Sequence, residues 1–175
     1  MSFWRNWLRK LAQSLNNSPT ENDRRGARLA PDTANSDAST AEDLAFLQEA
    51  VKLTAESNVN PSVVYPFLAT RTAQLNINLI AAIRAFATDS TIIDLLNFAN
   101  LVQQFPLGQR DVNLEISIAI YSIALDFFKR DTNASSWATI QNNLGTAYSD
   151  RIRGERAQNI EDAIACYRDS LLVYT

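Results

Sequence analysis

Slid against itself by 46 positions, the chain matches without a gap: residues 94–129 lie over residues 140–175. Nine of the 36 aligned pairs are identical, namely Asn97/Asn143, Gly108/Gly154, Arg110/Arg156, Asn113/Asn159, Glu115/Glu161, Ile118/Ile164, Ala119/Ala165, Tyr121/Tyr167 and Leu125/Leu171. Apolar character is kept at further pairs, among them Phe98/Leu144, Val102/Tyr148 and Leu114/Ile160. A segment that recurs at such a period is a supersecondary unit that cannot bury its apolar face alone. It must stack on its neighbour, so the fold is an array of like units.

Each unit reads as a pair of helices. In the second, helix A is expected over about Trp137–Asp150 and helix B over about Ile160–Tyr174. Gly108 and Gly154 supply a permissive backbone after helix A. Asn113 and Asn159 fit the N-cap of helix B, and Glu115 and Glu161 then put negative charge in its first turn. Gly145 falls inside helix A, where glycine costs ~1 kcal/mol against alanine. Close approach of a neighbouring helix is the reason to keep it, and its counterpart Ala99 is also small.

Helical periodicity also governs the region upstream, and the scarcity of Gly (4) and Pro (5) agrees with an all-α chain. Leu44, Leu47, Val51 and Ala55 give one face of a helix over about Ala41–Glu56, with Thr40 as its N-cap. A second helix follows Pro61, and its internal Pro66 must sit in the first turn or kink it. Two more cover about Ile77–Ala87 and Thr91–Gln104. The expected organisation is a helical segment over 41–90 and two helix-pair units, 91–129 and 137–175.

Ahead of this lie two segments of different character. In residues 1–15, Phe3, Trp4, Trp7, Leu8 and Leu11 share one arc of a helix, while Arg5, Arg9 and Lys10 fill the opposite arc. Such a basic amphipathic helix suits weak, reversible contact with a membrane surface, a groove on a protein partner, or docking on the chain's own core. Residues 16–40 are polar, hold two Pro and one Gly, and lack aromatic residues. A disordered tether is expected there.

Several kinds of chemistry are excluded. The chain has no His and one Cys, Cys166, so no intrachain disulfide, His/Cys zinc cluster or Cys–His nucleophile can be built. Cys166 aligns with Ile120, which marks it as a small buried side chain. No phosphate-binding or dinucleotide fingerprint occurs. Glu42/Asp43 and Glu161/Asp162 read as charges near helix starts. The expectation is therefore not an enzyme, with no cofactor and no metal. A net charge of −3 with both signs interspersed gives no footprint for nucleic acid. With no apolar run approaching the ~20 residues of a membrane span and no signal-peptide core, the expected location is cytoplasmic, with membrane periphery open through residues 1–15.

Leu144-Gly145-x-x-Tyr148 followed by Ala163-x-x-x-Tyr167 resembles the tetratricopeptide repeat (TPR). Gln141 stands at the family's Trp position, and the loop between the helices is longer than usual. The string "WATIQNNLGTAYSDRIRGERAQNIEDAIACYRDSLLVYT" is similar to the long-loop repeats of cyanobacterial TPR proteins, many of which carry a caspase-like CHAT domain. The resemblance implies antiparallel helix pairs stacked as a short TPR-like superhelical solenoid. It implies a protein–protein interaction scaffold or adaptor, or else the regulatory arm of a CHAT peptidase system, while residues 1–15 by themselves suggest a peripheral membrane adaptor.

In such a solenoid Thr139, Asn142, Thr146 and Ser149 of helix A would line the partner groove. Arg153 and Arg156 in the following loop could dock an acidic partner or phosphate, although the recurrence of Arg110 opposite Arg156 favours a structural use. The apolar end "SLLVYT" suits self-association through the C-terminal helix, contact with a partner, or continuation into a longer chain.

Overall fold

A computed structural model describes residues 33–174. The amphipathic segment 1–15, with Phe3, Trp4, Trp7, Leu8 and Leu11, and the tether as far as residue 32 lie outside the described residues. The described elements are α1 (Thr33–Glu56), α2 (Pro61–Ala69), a 3-10 turn (Thr72–Gln74), α3 (Leu79–Phe86), α4 (Ile92–Gln104), α5 (Arg110–Phe127), α6 (Ala134–Asp150) and α7 (Arg156–Tyr174). No strand occurs among the described residues, and the fold is all-α.

Three helix starts differ from the sequence expectation for physical reasons. Helix α1 begins at Thr33, so residues 33–40, expected in the tether, are helical and Thr40 is an interior position, not a cap. Residues 33–40 contain neither Gly nor Pro. Phe46, Leu47, Ala50, Val51 and Thr54 are buried and fix the helix downstream. Extending a helix already held by packing costs far less than nucleating one.

Helices α5 and α7 likewise start at Arg110 and Arg156, three residues before the asparagines expected to cap them. Gln109 occupies the cap position of α5 without a side-chain bond. Asn113 instead reaches out of the helix and donates from Nδ2 to the carbonyls of Leu107 (2.9 Å) and Phe105 (3.4 Å). Asn159 does the same to Arg153 (2.9 Å) and Arg151 (3.4 Å). The asparagines therefore serve the loop as donors rather than the helix N-terminus as acceptors. Gly108 and Gly154 take φ of +77° and +79° within those loops, a conformation that favours glycine. Glu115 and Glu161 consequently lie in the second turn of their helices, not the first.

Pro61 opens α2, with Asn60 Oδ1 accepting from the Ser62 N–H at 3.0 Å. Pro66 lies past the first turn of this nine-residue helix.

Helix α1 packs on α2, α3 and α4. Helix α5 then lies against α3, α4 and α6, and α7 against α6. The order of cross-contacts makes both helix pairs antiparallel. Along α6 and α7, Arg151 meets Asn159, Gly145 meets Ala163, and Gln141 meets Asp169. Along α4 and α5, Gln103 meets Arg110 and Ala99 meets Ser117. The core is continuous through Phe98, Leu114, Ile116, Ile120 and Tyr121, all essentially inaccessible to solvent.

Gly145 has the close neighbour its position demanded. A Cβ there would stand 2.9 Å from the Tyr167 ring and 3.2 Å from the Ala163 carbonyl. Where the first unit has Ala99, Ser117 Oγ lies 3.1 Å from its carbonyl and 2.9 Å from that of Asn113, its one proton serving either.

Candidate partner-binding site

Helices α4 and α6, the first members of the two pairs, face each other across a hollow of mixed polar and apolar lining, of about 720 Å³. Asn100, Gln103, Asn143 and Thr146 supply its side-chain amides and hydroxyl, the Phe105–Gly108 loop forms one wall, and Arg110 and Asp150 stand at its edge. The helical repeat puts Asn143, Thr146 and Asp150 on one face of α6 at spacings of three and four. Asn100 and Gln103 are likewise one turn apart on α4.

These groups are linked. Asn143 Nδ2 donates to Asn100 Oδ1 across the two units at 3.1 Å. The Tyr121 hydroxyl lies 2.7 Å from that same oxygen and 2.8 Å from Gln103 Oε1. Its single proton can serve only one of them at a time. Burial raises the Tyr121 phenol above its ordinary range, so it stays a neutral donor. In the second unit the Tyr167 hydroxyl sits 3.2 Å from Thr146 Oγ1, the position 46 residues beyond Asn100. At the edge, Arg110 donates to Asp150 at 3.2 Å and also bonds the Gln103 carbonyl.

Of the groove residues expected from sequence, Thr146 lines the hollow. Thr139, exposed, turns its hydroxyl to the Ser135 carbonyl (2.9 Å). Asn142 is exposed outside the hollow, and Ser149 bonds the Thr146 carbonyl at 2.9 Å. Short hydroxyl side chains on a helix satisfy themselves this way, four or three residues back. Asn100, Gln103, Asn143, Arg110 and Asp150, which also line the hollow, were not among the residues expected from sequence to face a partner. The available signal was that Asn100 and Thr146 occupy equivalent positions, one turn from the recurring Asn97/Asn143 pair.

The arginines after α6 are engaged within the chain. Arg151 makes a two-pronged contact to Glu115 on α5, at 2.7 and 2.9 Å, and the paired carboxylate raises its pKa. Arg153 holds Asp111 at 2.8 Å, and that hydrogen bond keeps the Asp111 carboxyl below its ordinary pKa of 3.8. Arg156 donates to the Ser149 carbonyl, as Arg110 does to the Gln103 carbonyl 46 residues earlier. The expected choice between partner docking and structure for Arg153 and Arg156 is thus met by intramolecular partners for both.

A second hollow, of about 640 Å³, lies between α3 and α5, with Ile80, Arg84, Glu115, Ile118, Ile123 and Asp126 among its lining residues. Cys166 is buried, and burial, with the nearby Asp169 and Asp162 charges, pushes its thiol up to about 11. Among the described residues no helix is long and apolar enough to cross a membrane. No family model, curated protein or solved structure matches this chain.

Proposed function

We propose that this protein is a protein-binding scaffold of TPR-like helix pairs, acting by association rather than by catalysis, and that the hollow between α4 and α6 receives an extended segment of a partner polypeptide. The observation that carries this reading is the paired amides, Asn100 and Asn143, contributed by successive units and open to a hollow of about 720 Å³. A carboxamide both donates and accepts, as a peptide group does, so a row of them suits main-chain recognition. The charges at the edge, Arg110 and Asp150, already satisfy each other. That favours an uncharged stretch of partner chain over a free carboxylate terminus. A role as scaffold also agrees with the resemblance of L-G-x-x-Y and A-x-x-x-Y to TPR sequences.

The test is selection of linear peptides from a displayed random library on the full chain, followed by titration against Asn143→Ala and the Asn100→Ala/Asn143→Ala double variant. Losses of about tenfold for each amide removed are expected, given ~1–1.5 kcal/mol per hydrogen bond in a desolvated site. Peptides that bind equally well to both variants would place recognition elsewhere and sink the reading.

A further inference from the structure

Because the two units superpose in sequence, the surroundings of α5 state what the same surface of α7 is shaped to meet. On α5, Leu114 and Ile118 are 0% and 7% exposed, and the same side of the helix carries Asp111 and Glu115. Helix α6 packs on α5, and the residues just past its C-terminal end, Arg151 and Arg153, close onto Glu115 and Asp111. The matching positions on α7 are Ile160, Ile164, Ala157 and Glu161. At 100° per residue Ile160, Ile164 and Ala157 fall within one arc, bordered by Glu161.

That arc differs from its α5 counterpart in cover. Ile160 and Ile164 are only half-buried, Glu161 is exposed, and Leu171 in the same arc is 59% exposed. Glu161 forms no ion pair among the described residues, whereas Glu115 is held at 2.7 Å. The buried stripe of α7, Asn159, Ala163, Cys166 and Ser170, lies to one side, where α6 packs.

We propose that this arc of α7 is a docking surface for one more helix, apolar toward Ile160 and Ile164 and carrying an arginine just past its C-terminal end that pairs with Glu161. The occupant is defined by the interface already formed one unit earlier. It packs antiparallel to α7, as α6 does to α5, because only that direction brings the residues beyond its C-terminus to the first two turns, where Glu161 lies. The basic requirement is one arginine and not two, since Ala157 replaces Asp111. Arg168 stands where α5 has Ser122, two turns from Glu161, so an incoming helix with a basic middle is excluded.

The probe is a synthetic peptide of residues 134–156, the sequence of α6 with its following arginines, titrated into the full chain and followed by calorimetry. Saturable binding is expected, weakened at least tenfold by Glu161→Arg. A peptide carrying Arg151→Glu and Arg153→Glu should bind the Glu161→Arg variant better than it binds the unaltered chain. Absence of binding overturns the proposal. So does binding that ignores Glu161→Arg but is lost in Glu115→Arg, which would mean that the peptide displaces α6 from α5. Glu161 is exposed, so its variants keep the fold, and an unchanged circular dichroism spectrum verifies this before titration.

Discussion

At the scale of single residues, equivalent positions show how far identity fixes environment. Asn113 and Asn159 tether their loops with the same pair of bonds, yet their acceptor atoms differ. Asn159 Oδ1 has Arg151 Nη1 at 3.5 Å, while Asn113 Oδ1 is buried without a partner among the described residues, Phe105 occupying the place of Arg151. Gly145 yields a prediction with opposed terms. Gly145→Ala gains up to ~1 kcal/mol of helix propensity, but the new Cβ meets Tyr167 and the Ala163 backbone, and overpacking costs ~1–3 kcal/mol. Net destabilisation by ~1 kcal/mol is expected in urea unfolding, and more for Gly145→Val; a stabilised Gly145→Ala would mean that the two helices part easily. For Cys166, a thiol at about 11 holds roughly a hundredth of the thiolate of an ordinary cysteine at pH 8. Iodoacetamide should label it at a correspondingly slow rate until denaturant is added, and equal rates in the folded and unfolded chain would contradict its burial.

At the scale of elements, the joint between units is an apolar helix contact closed by two ion pairs of unequal quality. Arg151 and Glu115 are 27% and 12% exposed, against 42% and 33% for Arg153 and Asp111. Screening is weaker at the first pair, which is also two-pronged. A double-mutant cycle of Arg151→Gln with Glu115→Gln should give a coupling of ~1 kcal/mol, larger than that of the second pair. The second pair has a pH signature. Asp111 has a lowered folded pKa, so its contribution is present above 3.8 and fades as pH falls through the lower folded value. The difference in Tm between the unaltered chain and Arg153→Met should therefore shrink below pH 3.8; a constant difference would show that Arg153 acts through packing alone.

The elements themselves were largely legible in the sequence, because periodicity and the turn glycines act locally. The starts of α5 and α7 were not, since an asparagine near a helix end looks the same whether it accepts from the helix or donates to the loop. The hollow was less legible still. Asn100 and Asn143 are 43 positions apart and meet only because α4 and α6 lie face to face, a fact no window along the chain contains.

At the scale of the whole molecule, cover is uneven among the described helices. Helix α5 is enclosed by α3, α4 and α6, whereas α7 rests chiefly on α6. A helix packed against fewer neighbours opens at a lower free energy, so opening should be easier at α7. Hydrogen exchange by mass spectrometry is expected to show α7 amides exchanging faster than those of α5. Equal protection would mean that α7 is covered in solution, and addition of the α6 peptide should slow α7 selectively.

The clasps that close the joint between the units point backwards along the chain: Arg151 reaches a residue 36 positions earlier and Arg153 one 42 positions earlier, while the asparagine tethers stay within eight. A tandem duplication of one 46-residue period after α7 would thus arrive with its loop geometry and both arginines intact. It would find one acceptor, Glu161, already waiting on the helix before it, and would lack only the second, at Ala157. An added period would then be nearly self-fitting, and a single Ala-to-Asp change at position 157 would complete its joint.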